Sequence, residues 1–392
     1  MLRQIIAVTL LNIGSIPRRL GPSLVIVIGI AGVVGVLISV LAMEQGFLDT
    51  MTHGGRRDRA IVLRGGSTAE LASTMSRDAA LTITDAPGIR HDAADRPIAS
   101  AEAVVVVQLP LRATGTDANV TLRGVGRLAG ELRPEIHLLA GRMFQPAVRE
   151  LVVGRNAVGQ FAGLQLGSHI AFRDSDWMVV GIFESGGDSH ESEMIADVDT
   201  VLSAYRRSLY QAVTVLLDNA QAFDGFAAFV RSNPQLAVEA KRETDYYAQL
   251  SEQLAKVMSF VAYVVGGIMA VGALFGALNT MYSAVSDRSI EIATLRALGF
   301  GATAVLVSVF VEALLLSVAG AAIGALLAWA LFNGNAVNTL SGNFTQVVFH
   351  LNVTLSLAAL GIIWAIVIGL VGGLFPALRA ARLPVAEALR AV

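Results

Sequence analysis

At 392 residues, 54% of them hydrophobic and only 15% charged, the chain is too apolar for an ordinary water-soluble protein. Its net charge of −2 leaves no basic field to condense on phosphates, which excludes a nucleic-acid partner from the expectations. It has no cysteine, so disulfides, thiolate catalysis and Cys-based metal sites are excluded too.

Residues 1–16 read as a short amphipathic helix. Leu2, Ile5, Ile6, Thr9 and Ile13 share one helical face, and Pro17 stops it. Residues 1–20 are therefore expected to lie along the inner membrane surface, in contact with lipid. Leu24–Met43 carries no charge and is long enough to cross the hydrocarbon, which takes about 20 apolar residues. It exceeds a signal peptide's apolar region of roughly 7–15 residues and lacks a small-x-small site at Leu41-Ala42-Met43, so residues 21–43 read as a signal anchor. Three more spans follow: Met258–Tyr282, Thr303–Phe332 and Thr354–Leu378.

Arginine placement sets the orientation. Arg3, Arg18 and Arg19 precede the first span, Arg288 and Arg296 separate spans two and three, and Arg379, Arg382 and Arg390 follow the fourth. The short outer loop 333–353 has no Lys or Arg. Both termini, including the tail 379–392, are expected on the cytoplasmic side of a bacterial inner membrane, with residues 44–257 outside.

The external region alternates strand and helix signals. Arg59–Arg64, Ala103–Leu109, Asn119–Gly124 and Gln211–Leu217 read as strands; Arg77–Asp85 and Ala220–Arg231 read as helices. Residues 146–199 differ, with short strands at Glu150–Val153, His169–Phe172 and Trp177–Phe183 and closely spaced glycines. The fold class expected is an α-helical integral membrane protein with four transmembrane helices and an α+β extracytoplasmic domain carrying a small β-rich insert. Within that insert Asp188-Ser189-His190-Glu191-Ser192-Glu193 has metal-binding residue types. Adjacent ligands in a loop rarely converge on one ion, so a solvated β-loop and no metal site are expected. The chain has no Gly-x-Ser-x-Gly elbow and no His-Glu-x-x-His helix; no catalytic residue and no enzyme activity are expected of it.

From Glu243 the pattern Tyr246, Tyr247, Leu250, Leu254, Val257 is helical, with no Gly or Pro before Gly266. One helix is expected over Thr244–Tyr282, on the order of 58 Å long. Small residues recur at helical spacing in the spans: Gly29, Gly32 and Gly35; Gly272 and Gly276; Gly320 and Gly324. The pattern serves close helix or dimer packing, although glycine is also simply common in membrane helices. Four spans make a thin bundle, so a homodimer is expected.

Residues 283–302 form the loop between spans two and three. Ser286 is placed to cap a short helix, Asp287 suits its positive end, and Gly299 and Gly301 end it. Ile292, Leu295 and Leu298 give an apolar edge, while Arg288, Glu291 and Arg296 stay polar. Such a helix fits a groove on a partner or rests on lipid. Glu312 is the carboxylate inside a span; a structural pair with Arg288 or Arg296, or a cap on the short helix between spans two and three, is expected over a proton relay, because a lone carboxylate forms no relay chain.

Here the residues resemble a family. Ser286–Ala302 with Glu312-Ala313-Leu314, the ending Phe375-Pro376-Ala377-Leu378-Arg379 through Leu383-Pro384-Val385-Ala386-Glu387-Ala388, Arg18-Arg19 before the first span and Glu44-Gln45-Gly46 after it are similar to the MacB/FtsX-type permeases of ABC transporters. Gly141-Arg142-Met143-Phe144 and Glu150-Leu151-Val152-Val153-Gly154 extend the likeness outside the membrane. The resemblance implies a dimer, an ATPase gripping the helix between spans two and three, and work transmitted mechanically to the outer face. It also implies a porter-like part at 57–145 plus 200–243, with 146–199 as its β subdomain. A periplasmic adaptor (membrane fusion protein) and an outer-membrane duct are further partners it implies. A phosphate loop needs Gly-x-x-x-x-Gly-Lys-Ser/Thr, and Lys241 and Lys256 do not stand in one. ATP and Mg are therefore expected on a partner ATPase, with no cofactor on this chain. The rival expectation is a signalling scaffold that activates an extracytoplasmic cell-wall hydrolase, or an antimicrobial-peptide sensor.

Overall fold

In the computed structural model, which describes residues 2–15, 20–340 and 345–384, the chain divides into two compact units. One comprises residues 1–45, 257–335 and 351–392; the other comprises residues 46–256 and 336–350. Pro17, Arg18, Arg19, the segment 385–392 and the first-helix stop at Pro17 lie outside the described residues.

The first unit is helical. Among the described residues, four helices are long and apolar enough to cross a membrane: α2 (Leu20–His53), α8 (Glu243–Asp287), α10 (Ala302–Phe332) and α11 (Leu355–Ala381). All four outrun the sequence-based spans. α2 continues to His53, while α8 covers the helix expected over Thr244–Tyr282 and runs on to Asp287. The core is built from Ile30, Val33, Val34 and Ile38 of α2, Val309, Ala313 and Leu316 of α10, and Ala365 and Ile368 of α11.

The glycine motifs divide by use. A Cβ on Gly324 would lie 2.5 Å from the Ala31 carbonyl oxygen, and one on Gly320 would lie 2.8 Å from that of Val27, so these two let α10 approach α2. Around Gly29, Gly32, Gly272 and Gly276 a Cβ would meet nothing within 4 Å; they mark open faces of the single chain.

The amphipathic helix α1 (Leu2–Ser15) meets α10 through its other side. Val8, not the Leu2/Ile6 side, is its buried residue; Asn12 donates to Ser308 Oγ, and Ser308 Oγ donates to the Val8 carbonyl at 3.3 Å. Leu2, Ile6, Leu10 and Leu11 are left exposed.

The second unit carries a sheet of ten strands: β1 (Arg59–Arg64), β2 (Ala99–Pro110), β3 (Asp117–Val125), β4 (His137–Gly141), β5 (Glu150–Gly154), β6 (His169–Phe172), β7 (Ser175–Glu184), β8 (Glu193–Asp197), β9 (Ala212–Leu216) and β10 (Val238–Arg242). The order is β10-β1-β9-β2-β3-β8-β5-β7-β4, with β6 on β7. The β-rich insert is present, yet it is joined edge to edge with the rest: β8 pairs in parallel with β3, matching Ile195 to Arg123. Its pairing also begins earlier than residue 146, at β4. Helices α3 (Arg77–Thr84), α6 (Val198–Ala204) and α7 (Ala222–Ser232) cover the sheet through Ile83, Val201, Phe226 and Val230. Two shorter helices, α4 (Ala129–Leu132) and α5 (Arg155–Gln160), complete the unit.

The short outer loop expected at 333–353 carries a hairpin that the sequence reading did not give. Residues Ala336–Leu340 (β11) and Gln346–His350 (β12) form an antiparallel hairpin that belongs to this second unit. Val348 N donates to Ser192 Oγ at 3.0 Å, Thr121 Oγ1 donates to Thr345 Oγ1 at 3.0 Å, and Phe349 meets Phe47 edge-on at 5.7 Å. Thr345, Val348 and Phe349 thus hold the hairpin to Thr121, Ser192 and Phe47.

Candidate functional site

The loop between α8 and α10 folds into a short helix, α9 (Ser289–Ala297). Ser286 does not cap it. α8 runs on to Asp287, and Arg288 occupies the junction; its backbone carbonyl accepts from Ile292 N at 2.9 Å. Gly299, at φ +94°, ends α9 in the left-handed region that favours glycine. Gly301 starts α10.

The sequence-selected residues of this helix split into two sets. Arg288 and Ile292 are buried inside the helical unit, which corrects the expectation that Ile292 faces a partner. Arg288 Nη2 pairs with Glu312 Oε2 at 2.5 Å, and its Nε donates to the Ala284 carbonyl at 3.2 Å. The structural pairing expected of Glu312 is therefore made with Arg288. Arg296 instead donates to the Leu383 carbonyl at 2.6 Å, tying α9 to the chain beyond α11. Asp287, Glu291 and Leu298 are exposed, Leu298 to 72%, and Leu295 is half-buried. The outward face of α9 is thus Glu291 and Leu298 with Ile290 and Thr294, on a base fixed by Arg288 and Arg296. Gln4 of α1 donates to the Gly299 carbonyl at 3.4 Å and braces the same turn.

The external unit holds a second constellation, which the sequence reading missed. Arg59 is fully buried and donates to Glu243 at 2.6 Å, to Glu135 at 2.5 Å and to the Leu132 and Gly54 carbonyls at 2.9 and 2.5 Å. Gly54 follows α2 and Glu243 opens α8, so one guanidinium grips the outer ends of both helices. One turn on, Tyr246 Oη accepts from Glu70 N at 3.2 Å, and Tyr247 Oη meets His190 Nε2 at 3.2 Å.

Beyond these tyrosines lies a buried ion network. Arg123 reaches Glu70, Glu102 and Glu193 at 2.6, 2.8 and 2.7 Å; Arg133 holds Glu102 at 2.6 Å; His190 Nδ1 meets Glu193 at 3.1 Å. Burial opposes charge on Glu193, but Arg123 and His190 outweigh it and hold this carboxyl well below the usual range. Burial likewise opposes the His190 imidazolium, and Glu193 and Asp188 overcome it, raising His190 above 6.5. Asp188 is pushed up by burial. Burial also raises both tyrosines.

The solvated loop expected at 188–193 is therefore a correction: Asp188–Glu193 is buried throughout. Asp188 caps a short 3-10 turn by accepting from His190 N at 2.9 Å, and Arg155 pairs with Glu191 at 3.1 Å, so each charge has a partner. Among the described residues no group of three or more His, Asp or Glu side chains is arranged to hold a metal ion. The signal for this network was single charges set beside apolar strand residues, Glu102 just before Ala103–Val107 and Arg123 after Leu122, where an unpaired charge is prohibitively costly.

Two family models match the chain: the MacB-like periplasmic core domain over residues 23–255 and the FtsX-like permease C-terminal over residues 263–385. The chain belongs to the MacB/FtsX-type ABC transporter permeases. It is a multi-pass membrane protein of that family with an extracytoplasmic domain. Among similar proteins is the macrolide export ATP-binding/permease protein MacB of Neisseria gonorrhoeae, 26% identical over 402 residues, covering 95% of this chain and 58% of that protein. An uncharacterized ABC transporter permease of Methanocaldococcus jannaschii is 24% identical over 236 residues, 58% of each chain. Both matches thus span less than two thirds of the relative's length. The solved periplasmic region of MacB from Actinobacillus actinomycetemcomitans is 13% identical, with a TM-score of 0.37, covering 53% of this chain and 94% of that one.

Proposed function

We propose that this permease is the membrane subunit of an ABC exporter that works by mechanotransmission, as a homodimer in the inner membrane with both termini cytoplasmic. ATP and Mg bind a partner ATPase, which grips the outward face of α9. The observation that carries this reading is α8 itself: one 45-residue helix from the Arg59-held Glu243 to the Arg288 junction, roughly 68 Å at 1.5 Å per residue. A helix of that length, clamped by buried ion pairs at each end, transmits displacement where a flexible loop would dissipate it.

The division of α9 supports the same reading. Arg288 and Arg296 fix the helix to its own unit, so force applied at Leu298 and Glu291 moves α8 and α10 rather than bending the loop. The substrate is released or extracted at the outer face, and a periplasmic adaptor with an outer-membrane duct completes the path. Leu298→Asp in the full chain, co-expressed with an ABC ATPase subunit, is expected to abolish ATPase co-purification while leaving membrane insertion and thermal stability unchanged. Undiminished co-purification would remove α9 from the interface. Recovery of a cell-wall hydrolase in place of an adaptor would favour the signalling reading.

A further inference from the structure

The external unit, residues 46–256 and 336–350, carries 21 Lys or Arg against 26 Asp or Glu, so it is acidic on balance. Against that background three arginines gather in one place. Arg173 lies in the loop between β6 and β7, and its guanidinium carbon stands 4.9 Å from the centre of the Tyr205 ring. Arg206 and Arg207 follow Tyr205 at the end of α6, and the charges of Arg173 and Arg207 both reach the Tyr205 hydroxyl. All three arginines are exposed, and among the described residues none has a carboxylate at ion-pair distance. Of the acids on the same segments, Asp176 is held by His169 at 2.9 Å, Asp199 by Arg77 at 2.6 Å, and Asp197 accepts from Thr200 N at 3.0 Å. Asp174 is left beside Arg173, so positive charge prevails.

The backbone marks the same place. Arg173 and Arg206 both have φ +52°, in the left-handed region. Phe172 pairs with Ser175, so Arg173 opens a two-residue hairpin loop, where a positive φ favours glycine. At the end of α6, Arg206 N donates to the Ser203 carbonyl at 3.1 Å and Arg207 N to the Leu202 carbonyl at 2.8 Å. In that closure the left-handed residue is usually glycine as well. An arginine at either position carries strain that glycine would avoid. Residues held this way cluster at functional sites, and here both present the same charge on one patch.

Charge selects an anionic partner, and geometry selects its class. Exposed ion pairs are individually weak, so a lone small anion gains little here and several carboxylates must act together. The guanidinium laid on the Tyr205 ring has a fixed orientation, and its fork matches a carboxylate bidentately. A fluid headgroup surface draws on charge without asking for orientation. Tyr and Arg are also the residue types enriched where proteins meet. We propose that Arg173, Arg206 and Arg207, with Tyr205, form a docking surface for an acidic protein segment bearing consecutive carboxylates. The surface goes beyond the transport reading and needs only this chain, so it is tested without any ATPase.

The probe is rhodamine-labelled octaglutamate, titrated by fluorescence anisotropy into the full chain held in phosphatidylcholine nanodiscs. Saturable binding is expected, weakened at least about tenfold by Arg173→Gly with Arg206→Gly, and likewise by about 0.5 M salt. Arg231→Gln, which removes an exposed arginine of α7, should leave it unchanged. Glycine suits both backbones, so the fold is kept and Arg206→Gly should melt no lower than the parent. No saturable binding, equal binding by the double variant, or an equal loss in Arg231→Gln, which marks a response to net charge alone, would overturn the proposal. So would a lower melting temperature in Arg206→Gly, which assigns the arginine to the fold. Arginine-dependent capture of phosphatidylglycerol vesicles without peptide binding would overturn it too, giving the surface to the membrane.

Discussion

Replacing Glu312 with Leu tests the Arg288 junction most directly. In the native chain Arg288 is 2% exposed, with Glu312 at 2.5 Å, the Ala284 carbonyl at 3.2 Å and Nη1 without a partner. Glu312→Leu strands the guanidinium with one backbone acceptor, and removing one partner of a buried pair costs about 3–5 kcal/mol. Arg288→Met alone leaves the Glu312 carboxylate buried and uncompensated, at similar cost. Arg288→Met with Glu312→Leu removes both charges together with the orphan Nη1 donor. The double variant should therefore fall within about 1 kcal/mol of the parent, since well-packed apolar replacements of buried pairs are often neutral. The coupling energy is then about 5 kcal/mol or more, read from unfolding by SDS in mixed micelles. Additive single substitutions, with coupling below about 0.5 kcal/mol, would show that the two residues do not act as a pair.

The remaining expectations concern the other elements. Gly324→Val should cost about 1–3 kcal/mol of unfolding stability in the same assay, because its Cβ meets the Ala31 carbonyl at 2.5 Å, whereas Gly276→Ala should leave the single chain's stability within about 0.5 kcal/mol. A stable Gly324→Val variant would show that α10 and α2 are not in close approach. His190 is raised above 6.5 in the folded chain, so its stabilising contribution is complete below 6.5 and fades as pH rises through the elevated value. Melting temperature should accordingly fall across that interval in the parent and respond less in His190→Gln; parallel curves would refute the charged state. A Gly-Gly-Ser insertion after Leu254 should leave ATP hydrolysis by the assembled complex running while export stops. Unimpaired export would remove α8 as the transmitting element.

Much of the architecture was legible because it is written locally. The four spans follow from uninterrupted apolar runs. α8 follows from a helical period without breakers, and the end of α9 from Gly299, whose positive φ few other residues tolerate. Strands β1, β3 and β9 were readable from branched and alternating residues. The hairpin β11–β12 was not, because its contacts come from Ser192 and Thr121, both far away in sequence.

Charge placement shows where local reading stops. The sequence by itself left Glu312 to pair with either arginine of the loop or to cap the short helix; only the packed bundle selects Arg288 and sends Arg296 to Leu383. Residues 188–193 look solvated as a string, and the structure buries them because Arg123, Arg155 and Tyr247, from other elements, partner Glu193, Glu191 and His190. The same holds for Arg59, whose grip on Gly54 and Glu243 joins positions 184 residues apart. Hydrophobic periodicity fixes which segments are helices or strands, since it depends on neighbours in the chain. Whether a charge can be buried depends on neighbours in space, and that only the tertiary structure decides.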